Sequence, residues 1–129
     1  MTAARMDRLF ISLGALSAFV AVAAGAFGAH ALRDRLSASM LETFQTGAQY
    51  QMYHALALMG VGILLARFSA DGSPWLSAAG WLFVAGTVLF SGSLYLLALT
   101  DTRWLGAITP LGGVAFLVGW LALAIGIWR

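Results

Sequence analysis

The sequence has no cysteine, which removes disulfides, cysteine-ligated zinc and thiol catalysis together. It is also poor in charge. Charged residues make up 9% of its 129 positions, against about 25% in soluble domains, so it cannot clothe a water-facing surface. The basic residues are seven arginines against five acids, a net of +2. They stand singly or in pairs at the ends of apolar runs, as membrane boundary markers do. No basic run is long enough for a nucleic-acid surface, so nucleic acid is not an expected partner. Paired intramembrane carboxylates, a phosphate-binding glycine loop, an HExxH motif and a defensible Ser-His-Asp order are all missing. No catalytic residue, metal ligand set or resident cofactor is therefore expected, and the chain reads as non-enzymatic.

What is present is apolar length. The sequence is 61% hydrophobic, with a mean hydropathy of +0.89. Residues 9–29, 43–66, 72–100 and 104–128 carry no charge. Each run reaches the roughly 20 residues that a helix needs to cross hydrocarbon. The runs are too long for barrel strands and lack their alternation. The expectation is an all-α integral membrane protein, a four-helix antiparallel transmembrane bundle forming one membrane domain over residues 1–129. Arg5, Arg8, the apolar run and the small-x-small site at Ala29–Ala31 also imitate a secretory signal. The run exceeds the 7 to 15 residues of a signal core, so an uncleaved first helix is expected.

Helix limits follow from local chemistry, at about 7–31, 40–67, 74–99 and 110–128. Ser39 and Glu42 have capping-box spacing before the second helix. Ser73-Pro74 and Thr109-Pro110 each offer a hydroxyl cap before a proline at the first helical position. Trp75, Trp104 and Trp128 fall at span ends, as interfacial indoles do. Arg5, Arg8, Arg67 and Arg129 lie on one side and Arg33, Arg35 and Arg103 on the other. That bias favours both termini in the cytoplasm.

Two stripes of small residues repeat every seven positions: Gly14, Ala18, Ala21, Gly25 and Gly28, then Gly112, Ala115, Gly119, Ala122 and Gly126. In lipid, helices associate by close backbone approach, so these faces are expected to pack.

Polar groups gather toward one end of the spans. Counted at about 1.5 Å per residue, His30, Gln45, Gln49, Tyr50, Gln51, Tyr53, His54, Ser91, Ser93, Tyr95 and Thr109 fall on the side of loops 1 and 3, which join the first helix to the second and the third to the fourth. Around the second helix, Gln45, Thr46, Gln49, Tyr50, Tyr53 and His54 share one half, and Leu41, Phe44, Ala48, Met52, Ala55 and Met59 share the other. The polar half is expected to turn inward, with His54, Tyr50 and Gln49 toward Ser91 and Tyr95. His30 and His54 differ in depth by roughly 10 Å, which argues against joint ligation of one haem iron.

Four stretches, "GAFGAH" (25–30), "YQMYHALAL" (50–58), "FSGSLY" (90–95) and "ITPLGG" (108–113), with "GW" (119–120) after them, resemble the four-helix inner-membrane family called domain of unknown function 423. The resemblance implies a multi-pass bacterial inner-membrane protein and supplies no catalytic residues. The leading functional expectation is a protein whose polar cluster binds or passes a small polar solute, or supports a partner complex. Its expected partners are the lipid bilayer and either further copies of itself or another membrane protein. The alternative class is a membrane redox or lipid-modifying protein holding a cofactor against His54 and the nearby tyrosines.

Overall fold

The computed structural model describes residues 3–69 and 73–129, with the backbone alone at Ala3 and Ala4. Helix α1 runs over Ala3–Val22, loosens into a π-helical stretch at Ala23–Gly28, and ends as Ala29–Leu32. Helix α2 is uninterrupted over Ala38–Phe68. Helix α3 covers Pro74–Gly86, a second π-helical stretch at Thr87–Ser91, and Gly92–Thr100. A 3₁₀ turn at Arg103–Ala107 leads into α4, Thr109–Gly126. No strand occurs among the described residues. Among the described residues, four helices are long and apolar enough to cross a membrane.

The helix ends follow capping chemistry, with two corrections. Ser73 caps α3 as expected, its Oγ accepting from the Leu76 N–H. The cap of α2 is Ser37, not Ser39. Ser37 has extended backbone and its Oγ accepts from the Met40 N–H at 3.1 Å. Ser39 is already inside the helix, where its carbonyl accepts from Thr43. Thr109 is not a cap either, because the 3₁₀ turn has already begun the winding before it. The two π-helical stretches were not expected. In each, an N–H reaches five residues back, Ala29 to the Ala24 carbonyl and Gly92 to that of Thr87.

The bundle consists of two tight hairpins, α1 with α2 and α3 with α4, joined across α2 and α3. Glycine sets both hairpin seams. A Cβ on Gly14 would meet the Met59 side chain at 2.5 Å and the Ala55 carbonyl at 2.7 Å. On the second seam, a Cβ on Gly119 would lie 2.8 Å from Phe83, and one on Gly112 would strike the Phe90 backbone. Both expected stripes therefore face their hairpin partners. Gly25 is the loose member, since its Cβ would reach Ala48 at an ordinary 3.5 Å.

Toward the chain termini the interior is dry. Phe10, Leu58, Val61, Leu65, Leu76, Ala79, Phe83, Phe116 and Ala122 form one buried cluster. Phe10 also meets Trp81 edge-on, tying α1 to α3. A smaller cluster of Ala29, Phe44 and Ala98 closes the other end. There Arg35, Ser37, Thr100, Asp101 and Arg103 line one surface cleft, which brings loops 1 and 3 together.

Candidate intramembrane polar site

Helix α2 decides where the polar groups go. Its buried residues are Phe44, Gly47, Ala48, Gln51, His54, Ala55, Leu58, Val61, Gly62 and Leu65. That face is turned by roughly a third of a turn from the expected polar half. Small residues explain the rotation. Gly47, Ala48, Ala55 and Gly62 let neighbouring helices approach the α2 backbone, and in lipid that approach is what packing uses. Gly47 lies against Tyr95, and Gly62 against the Asp7 carbonyl and Ile11.

The expected cluster is thereby split. Gln45 and Gln49 are exposed, and so are Tyr50 and Tyr53, at 38% and 50%. Gln49 donates to the Tyr53 hydroxyl along the outer face. Tyr50 leans on Phe90 and Tyr53 rather than pairing with Ser91. The expectation that Gln49 and Tyr50 point toward Ser91 and Tyr95 is corrected: they lie outside the seam that buries Gln51. His30 is also exposed, at the end of α1.

Two α2 side chains do turn inward. Gln51, 7% exposed, bridges three helices: its Nε2 donates to Ser17 Oγ on α1 at 3.1 Å, and its Oε1 accepts from the Tyr95 hydroxyl on α3 at 2.6 Å. His54, 5% exposed, stacks on Phe116 with ring centroids 3.5 Å apart and planes 8° from parallel. Its Nδ1 lies 2.8 Å from the Tyr50 carbonyl and its Nε2 3.1 Å from Trp120 Nε1. A carbonyl only accepts and an indole N–H only donates. The imidazole is therefore neutral, with its proton on Nδ1, and neither nitrogen is left for a metal. No cluster of three or more His, Asp or Glu residues capable of holding a metal occurs among the described residues.

Ser93 and Thr109 join α3 to α4 at 2.6 Å. Each hydroxyl also has a carbonyl acceptor on its own chain segment, Phe90 for Ser93 at 2.9 Å and Leu105 for Thr109 at 3.4 Å, so either can supply the proton between them. Ser91, only 1% exposed, has no hydrogen-bond partner among the described residues. It closes the π-helical stretch of α3.

Sequence reasoning missed Ser17, Phe116 and Trp120. Trp120 carried a usable signal. Unlike Trp75, Trp104 and Trp128, it falls well inside its span, where an indole N–H requires a partner.

A model of the family described as "Protein of unknown function (DUF423)" matches residues 24–113. The chain belongs to this family. DUF423 residues thus include all but the first residue of the α1 π-helical stretch, all of α2 and α3, and the start of α4. Similar proteins include the UPF0382 membrane protein SSP2132 of Staphylococcus saprophyticus, 52% identical over 95% of this chain and 98% of its own length. Another is the UPF0382 membrane protein YwdK of Bacillus subtilis, 51% identical over 92% and 94%. No solved structure matches. With its four apolar helices, this DUF423 chain is an integral membrane protein.

Proposed function

We propose that the protein is a non-enzymatic component of the bacterial inner membrane that docks a transmembrane helix of another membrane protein. Both termini are read as cytoplasmic, from the arginine distribution. The observation that carries the proposal is the groove between α1 and α2. Ala21, Gly25 and Ala48 give it a low floor, and Gln45, Gln49 and Tyr53 give it a polar wall beside the apolar Met52. Gln49 and Tyr53 lie about 10 and 16 Å below Glu42 at helical rise. Unpartnered polar atoms there are disfavoured. A small-residue floor beside amide and hydroxyl groups suits a helix that packs closely and hydrogen-bonds laterally.

Solute passage through one chain has less support. The inward polar groups of α2 are hydrogen-bonded to side chains of the other three helices, and the half toward the termini is filled by the cluster around Phe10 and Phe83. A photo-crosslinking residue at Tyr53 in native membranes tests the docking reading. The expected product is an adduct mapping to a transmembrane segment of a second protein, absent when the probe stands at Leu117 on the outer face of α4. An adduct of two identical chains would replace the partner by a second copy. Capture of lipid alone at both positions would refute docking.

A further inference from the structure

Above the Phe10–Trp81 contact, α1 and α3 enclose a lateral cavity against the buried face of α2. Its volume is about 230 Å³, and its walls include Leu13, Ser17, Gln51, Leu58, Thr87 and Val88. The lining is apolar except where Ser17, Gln51, His54 and Thr87 meet. The hydrogen atoms at that meeting point can be counted. Ser17 and Tyr95 bring one donor hydrogen each, and Gln51 brings two. The Gln51–Ser17 and Tyr95–Gln51 bonds use two of these. Two remain. With the amide oriented as observed, they are the Ser17 O–H and the second Gln51 N–H, and both residues line the cavity. His54 offers nothing, since both its nitrogens are engaged. The Thr87 hydroxyl already donates to the Phe83 carbonyl.

Depth narrows the ligand. Thr87 stands thirteen residues from each end of Pro74–Thr100, about 20 Å of helix each way. Gln51 is about 20 Å from the start of α2 and about 26 Å from its end. Ser17 is about 18 Å from Arg5 and about 22 Å from Leu32. All three lie near the bilayer midplane. A charged headgroup cannot be drawn there cheaply, because ionised groups in hydrocarbon are strongly penalised. The volume is below the usual 300 to about 1,000 Å³ of small-molecule pockets, so it admits a ring or a short chain segment rather than a whole lipid.

We infer that this cavity is a binding site for an uncharged, carbonyl-bearing lipid, a quinone ring or a neutral acyl ester, whose carbonyl oxygen accepts from Ser17 and Gln51. The site is separate from the α1–α2 groove. Thermal unfolding of the purified protein in detergent provides the test, with a short-chain quinone, methyl oleate and hexadecane as probes. At saturation one carbonyl probe should raise the midpoint by about 3 °C or more, and hexadecane should not. Which carbonyl probe acts distinguishes the two lipid classes. Ser17→Ala should abolish the shift while leaving the Tyr95 bond intact. Val88→Trp at the rim should abolish it by filling the cavity, even if Gln51→Leu fails to fold. Gln49→Leu, in the docking groove, should leave it unchanged. An equal shift with hexadecane, no shift with either carbonyl probe, or a shift that survives both Ser17→Ala and Val88→Trp would overturn the assignment.

Discussion

At the scale of single residues, His54 shows how a polar side chain is tolerated inside hydrocarbon. Its ring edges are bonded at both nitrogens, and its face lies on Phe116. Trp120→Phe removes the indole N–H that donates to Nε2 and should lower stability by about 1 kcal/mol. The loss should shrink when His54→Phe is already present, because the two act as one pair. Additive losses in a double-mutant cycle, read by thermal unfolding, would mean that the bond contributes nothing. Ser91 is the opposite case. Its hydroxyl is buried and unpaired, so Ser91→Ala should leave stability unchanged or raise it by about 1 kcal/mol. A clear loss in the same assay would show that the hydroxyl has a partner.

At the scale of elements, the seams are ranked by how much room each glycine leaves. Gly14→Leu and Gly112→Leu drive atoms into neighbouring backbone, and overpacking of this kind typically costs about 1 to 3 kcal/mol. Gly25→Leu should cost less than either, because its nearest neighbour is a methyl group at contact distance. Equal losses at all three positions would break the link between seam tightness and stability. The four spans and the two small-residue stripes were legible in the sequence, since length, absence of charge and seven-residue spacing are local properties. The rotation of α2 was not. Reading its polar half as the inner half treated hydrogen bonding as the stronger demand. The structure instead buries Gly47, Ala48, Ala55 and Gly62 and leaves Gln45 and Gln49 outside, on the wall of the α1–α2 groove. The same small-residue argument that located the seams of α1 and α4 would have located this one. Nothing local announced the π-helical stretches, and Ser37 was overlooked beside a better-spaced Ser39–Glu42 pair.

At the scale of the whole molecule, the fold is a dry half carrying a polar half, with α2 dividing the polar residues between an inner and an outer face. Gln51 and His54 tie α2 to the other three helices, and Gln45, Gln49 and Tyr53 face out toward the proposed partner. The absence of cysteine allows that division to be read directly. Single-cysteine variants at Gln45, Gly47, Gln49, Gln51, Tyr53, His54 and Ala55, purified and folded in detergent, can be timed for reaction with a small maleimide. Fast reaction at Gln45→Cys, Gln49→Cys and Tyr53→Cys, with protection at Gly47→Cys, Gln51→Cys, His54→Cys and Ala55→Cys, is the predicted result. Protection at positions 49 and 53 with fast reaction at 51 and 55 would turn α2 the other way and contradict the account.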